Sequence, residues 1–137
     1  MRIMLKRLKN ERGLTLIELL AVVVILGIIA AIAIPSIGGI MENSKKDAAV
    51  ANAQQILSAA TLYKAGGGEF SGDYKDRLVE FIDGEEIIDP WTNEPTTNDW
   101  SVKDDGVLSI SIKFDNCDLT GNYTSNELSK DGRSLCK

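Results

Sequence analysis

The chain contains no histidine and only two cysteines. Imidazole acid–base catalysis and His-bearing metal sites are excluded at once, and the spacing of Cys117 and Cys136 suits no zinc site. No glycine-rich phosphate loop, repeat or low-complexity tract is present. Nothing in the sequence therefore assembles a catalytic constellation, and the chain reads as a non-enzyme without cofactor or metal. Aromatic residues make up 6% of the chain, and none lies between Leu14 and Ile34. Basic residues are concentrated at one end. Arg2, Lys6, Arg7, Lys9 and Arg12 stand against Glu11 alone, so the first 13 residues carry +4 in a chain of net charge −5. Everything after Gly13 is acidic, which argues against binding the nucleic-acid backbone directly. A length of 137 residues allows one domain and one membrane segment.

What the chain does have is a long apolar run. Leu14 to Ile34 contains a single charge, Glu18. As a helix this run covers about 32 Å, enough to cross the hydrocarbon core of a bilayer. A carboxylate inside such a segment costs about 2.5 kcal/mol or more, so Glu18 is a functional candidate by default. The basic residues before the run mark its cytoplasmic side, which puts the acidic remainder outside. A cleavable secretory signal is the rival reading, with Ala31-Ile32-Ala33 imitating its small-x-small site. A signal peptide, however, has a shorter apolar region and no use for an acid near its start.

Gly13-Leu14-Thr15-Leu16-Ile17-Glu18 after a short basic leader resembles the prepilin cleavage and methylation motif of type IV pilins and pseudopilins. The family spaces its glutamate in this way, and Pro35 stands where its long helix is usually interrupted. Leu14 departs from the Phe most frequent at the first mature position. The resemblance covers about the first 60 residues. It implies cleavage after Gly13, N-methylation of Leu14, and two roles for Glu18: recognition by the peptidase and pairing with a neighbour's N-terminal amine. The physics agrees, because a buried carboxylate needs a cation and the new α-amine is the only one at that depth. An intrachain pair one helical turn apart is the simpler alternative. Gly27 and Ala31 form a small-x-x-x-small pair that permits close helix packing in lipid, and Pro35 is expected to kink or weaken the helix.

Beyond the apolar run, Ile40, Ala48, Ala51, Ile56, Ala59, Leu62 and Tyr63 give an apolar stripe of helical period, opposite Glu42, Lys45, Lys46, Asp47, Asn52 and Gln54. Gly66-Gly67-Gly68 ends the helix after Lys64 or Ala65. Residues 71–81 read as a loop and short helix, with Leu78, Val79, Phe81 and Ile82 facing inward. Residues 89–95 are a turn-rich connector similar to that of the major type II secretion pseudopilins. Residues 100–114 read as a β-hairpin turning at Asp105-Gly106, its second strand burying Leu108, Ile110, Ile112 and Phe114. The tail from Asn116 reads as polar loop. Cys117 and Cys136, both on the outer side, favour a disulfide over two free thiols. Asp99, Asp104 and Asp105 offer oxygen ligands for calcium but lack an ordered spacing, so an unliganded acidic turn is expected. Asn122-Tyr123-Thr124 matches a glycosylation sequon, a triplet that chance supplies often.

The expected organisation is a cleaved leader (1–13), a membrane or filament-core helix (14–35), its amphipathic continuation (36–65) and a globular head (66–137). The expected fold is α+β, a long N-terminal helix packed on a small antiparallel sheet. By resemblance the chain is a structural subunit of a type IV pilus. Its implied partners are other copies of itself, minor pilins, the prepilin peptidase/methylase and a membrane platform protein, with no nucleic acid. It would reside in the cytoplasmic membrane with its head outside, then in an extracellular filament. A pseudopilin of type II secretion or of a DNA-uptake system is the alternative within that architecture. A membrane-anchored binding domain that never polymerises is the alternative of another class. An anchor gains nothing from Glu18, whereas a filament subunit does.

Overall fold

A computed structural model describes residues 4–82, 86–96 and 100–137, and for residues 4–14 the backbone alone. Its elements run α1 (Met4–Ala65), α2 (Tyr74–Glu80), β1 (Trp100–Asp104), β2 (Leu108–Phe114), β3 (Cys117–Thr124) and α3 (Ser125–Asp131), closing with a 3₁₀ turn at Gly132–Leu135. The chain divides into two compact units, one ending at Met41 and one of Glu42–Lys137.

The first unit is the apolar part of α1. Helical hydrogen bonding runs on through Pro35, so the proline does not end the helix. It is the one helix among the described residues that is long and apolar enough to cross a membrane.

In the second unit, Glu42–Ala65 of α1 lies against a three-stranded antiparallel sheet of order β1-β2-β3. α1 contributes Ala49, Val50, Ala53, Ile56, Leu57, Ala60 and Tyr63 to the core. This face is rotated from the expected stripe. Ile56, Ala59 and Tyr63 are buried, but Ile40, Ala48, Ala51 and Leu62 are exposed. The segment carries alanine on nearly every side, so periodicity alone picks out no unique face. Val50 and Leu57, being larger, decide it by the area they bury.

α1 stops at a Schellman motif. Gly67 adopts φ +85, its N–H donates to Lys64 O at 2.9 Å, and Gly68 N–H donates to Tyr63 O at 2.9 Å. In α2, Leu78 and the following Ile82 are buried as expected, but Phe81 is exposed, its ring edge-on to Tyr63. Tyr74 takes the inward place instead, and its hydroxyl accepts from Val102 N at 3.0 Å.

The hairpin forms as its alternation predicts, with Ile110, Ile112 and Phe114 buried and Leu108 partly so. Asp104 pairs with Leu108, so the three-residue turn is Asp105–Val107 rather than Asp104–Gly106, and Gly106 supplies φ +98. The largest correction is the tail. Asn116 onward is not loop: β3 pairs with β2, and α3 follows at once. Cys117 and Leu119 are buried while Asp118 and Thr120 face out, a period-2 pattern hidden among turn-forming residues. The register slips between Ile110 and Ile112, and Asn122 takes φ +57 there.

Candidate functional site

Three features carry the functional argument: the N-terminal half of α1, the connector over residues 86–96, and the disulfide-bound C-terminus.

Along α1, the chain from Leu16 to Met41 presents its large apolar side chains outward. Leu16, Ile17, Leu19 and Leu20 around Glu18 are each 64–69% exposed. Apolar surface on this scale requires a lipid or protein partner. Glu18 is exposed and takes part in neither of the ion pairs among the described residues, Lys64–Asp104 and Arg133–Asp47. Gly27, Ala31 and Pro35 are exposed too, and a Cβ built on Gly27 would meet nothing within 4 Å. The glycine is therefore not required by any contact inside the chain. Gly13 and Leu14 lie within α1, but their side chains are outside the described residues.

The connector is organised by one buried carboxylate. Asp89 is 6% exposed. Its Oδ1 accepts from Trp91 N at 2.7 Å and Thr92 N at 3.4 Å, and its Oδ2 accepts from Asp115 N at 2.7 Å. Its own backbone closes the loop: Asp89 N donates to Glu94 O and Asn93 N donates to Asp89 O, both at 2.9 Å, with Asn93 at φ 59. An isolated bridge joins Ile88 to Pro95. The loop is strapped to α1 twice. Asn52 Nδ2 donates to Ile88 O at 3.0 Å, and Trp91 Nε1 donates to the Glu42 carboxylate at 3.1 Å. The sequence marked this segment as a turn; the reach of Asp89 to the turn between β2 and β3 had no sequence signal.

Cys117 and Cys136 are disulfide-bonded, as expected. The bridge ties the end of the chain to the start of β3, and the same segment meets α1 through Arg133–Asp47 at 2.9 Å and Gln54–Ser129 at 3.3 Å. α3 opens on a capping box. Thr124 Oγ1 accepts from Glu127 N, while Glu127 Oε2 accepts from Thr124 N at 2.8 Å. The Thr-x-x-Glu spacing was visible in the sequence and would have found this helix. The bonds from Thr124, backbone first and hydroxyl second, hold the Glu127 carboxyl below the usual carboxylate range.

Of the acidic residues considered for calcium, Asp104 is engaged at 2.6 Å by Lys64, and Asp99 lies outside the described residues. The Lys64 hydrogen bond is the main cause of a lowered Asp104 pKa. Among the described residues no group of three or more His, Cys, Asp or Glu side chains is placed to hold a metal ion.

With this geometry in view, the comparisons with known proteins can be set beside it. A family model for the prokaryotic N-terminal methylation motif matches residues 8–34. The type II secretion system core protein G of Pectobacterium carotovorum subsp. carotovorum is 36% identical over 55 residues, 40% of this chain and 35% of that protein. The protein of the same name from Dickeya chrysanthemi is 36% identical over 56 residues, 41% of this chain and 37% of its own. That from Vibrio cholerae serotype O1 is 35% identical over 60 residues, 44% and 41% respectively. The chain thus spans about two fifths of the length of these relatives. No solved structure matches it significantly. Its methylation motif and its long helix on a small antiparallel sheet make the chain similar to the type IV pilin-like proteins, which are structural, non-enzymatic subunits. The relatives' names favour the secretion alternative over the surface pilus that the resemblance first implied.

Proposed function

We propose that this chain is a filament-forming subunit of the pseudopilin type, serving a secretion apparatus related to type II secretion. The observation that carries the reading is the methylation-motif match over residues 8–34, beside relatives named as type II secretion core proteins. The chain is inserted through its apolar helix with the basic leader inside and the head outside. The prepilin peptidase cuts after Gly13 and methylates Leu14, which leaves the amine charged. In lipid the suitable cation at the depth of Glu18 is an α-amine of residue 14, and the pairing is with that of another copy rather than with its own. That pair sets the axial register of a helical homopolymer. Gly27 and Ala31 let neighbouring helices approach closely, and helical order near Pro35 can loosen in the assembled form. Minor subunits and a membrane platform protein complete the machine.

Replacing Glu18 by Val tests the assembly role. Processing after Gly13 should persist while filaments disappear. Normal filaments from that variant would refute it.

A further inference from the structure

Three aspartates in the chain are followed directly by glycine: Asp83-Gly84, Asp105-Gly106 and Asp131-Gly132. In such a pair the following backbone nitrogen is the least shielded, because glycine carries no Cβ. That nitrogen can attack the aspartate's own side-chain carboxyl where its hydrogen bond is weak and the local backbone opens readily. Asp83 and Gly84 lie outside the described residues. The fold treats the other two pairs differently.

Asp105 and Gly106 stand in the exposed three-residue turn between β1 and β2. Among the described residues the Asp105 carboxyl takes part in neither ion pair and in no hydrogen bond. Gly106 N donates to Asp104 Oδ1 at 3.3 Å, longer than the ordinary range of about 2.7–3.2 Å. That acceptor is an exposed side chain, not the backbone of a paired strand. A Cβ built on Gly106 would meet nothing within 4 Å, so no neighbour confines the turn.

Asp131 and Gly132 hold the same dipeptide in a closed setting. Gly132 N donates to Leu128 O at the end of α3, and Leu128 is fully buried. The next residue, Arg133, pairs with Asp47 of α1 at 2.9 Å, and Cys136 is bridged to Cys117 of β3. Freeing this nitrogen means unwinding a helix end whose flanks are both anchored.

We infer that Asp105 is a site of spontaneous isomerisation, and that the fold protects Asp131 from the same reaction. The Gly106 nitrogen bonds to Cγ of the neutral Asp105 carboxyl. The Cγ–OH bond breaks, and the hydroxyl leaves with the nitrogen's proton as water. Water then adds to the five-membered imide. Opening at the side-chain carbonyl restores aspartate; opening at the main-chain carbonyl leaves isoaspartate, with the backbone running through Cβ and Cγ. The turn thereby gains a methylene beside the Asp104–Leu108 pair and the Lys64–Asp104 bridge. The product is the chemical mark that an isoaspartate-specific carboxyl methyltransferase recognises. The reaction belongs to the head alone and requires neither membrane nor filament.

The test holds the full chain in detergent at neutral pH and physiological temperature. Samples taken over time are digested and mapped by mass spectrometry with electron-transfer fragmentation, which tells isoaspartate from aspartate. A parallel sample is reduced and denatured in guanidinium chloride. In the folded chain isoaspartate should accumulate severalfold faster at residue 105 than at residue 131, and in the denatured chain the two rates should converge. Asp105→Glu, which would have to close a larger ring, should abolish the signal in its peptide and leave the rest of the map unchanged. Equal rates at the two sites of the folded chain would overturn the inference. So would an intact Asp105 after a time in which the denatured chain has converted.

Discussion

Removing the Asp89 carboxylate should unlock the connector, and its cost can be worked from the geometry. Asp89→Ala deletes the acceptor for two backbone N–H groups at 2.7 Å and a weaker one at 3.4 Å, in a residue 6% exposed. A buried donor left unsatisfied costs about 1–3 kcal/mol, and bonds to a charged acceptor lie toward the upper end. Two strong bonds then give about 3–5 kcal/mol. In a head of this size each kcal/mol moves the melting temperature by about 4–8 °C, so a fall of at least about 12 °C is expected. Asp89→Asn keeps one acceptor oxygen but turns an amide donor toward another N–H, and should fall between the two. The assay is thermal unfolding of the full chain in detergent, followed by tryptophan emission because the apolar helix stays folded in micelles. Single-tryptophan variants, Trp91→Phe and Trp100→Phe, separate the signal of the connector from that of the core. An Asp89→Ala protein melting within about 4 °C of the parent would refute the view of Asp89 as the organiser, since that corresponds to under about 1 kcal/mol.

Other outcomes follow from the same packing. Leu128 is fully buried, so Leu128→Ala should cost about 2–5 kcal/mol and loosen the C-terminal segment first, as read by limited proteolysis. Reducing Cys117–Cys136 opens a loop of 19-residue separation and should cost about 3 kcal/mol in a denaturant titration. Glu127 has a depressed pKa, so the stability it lends to α3 is complete above the ordinary carboxylate range and is lost as pH falls through the lower folded value. NMR shifts of Thr124 and Glu127 should follow that loss, and Glu127→Gln should keep the cap while removing its pH dependence.

The parts of the fold that the sequence disclosed are those whose signal is local. The apolar run, the Gly66–Gly68 stop and the alternation from Leu108 to Phe114 each need only neighbouring residues to be read. The face of α1 was misjudged because alanines surround it, and only the docking of the sheet selects Val50, Ile56 and Leu57. β3 was missed because Asp118, Gly121 and Asn122 are turn formers, and here the bulge against β2 absorbs them. At the site, Glu18 stood out because a lone acid in an apolar helix is costly. The two partners that give the connector its place, Asp115 and Glu42, lie 26 residues after Asp89 and 49 before Trp91. No pattern in one sequence links residues so far apart.

The central claim is that this chain is cut after Gly13 and built into a filament as a secretion subunit. The most direct measurement is the intact mass of the protein from membranes and from sheared surface material of its native host. The account predicts a chain beginning at methylated Leu14 with the Cys117–Cys136 bridge intact, found in the membrane fraction. A chain still carrying Met1 to Gly13, or one cut near Ala33, would contradict it.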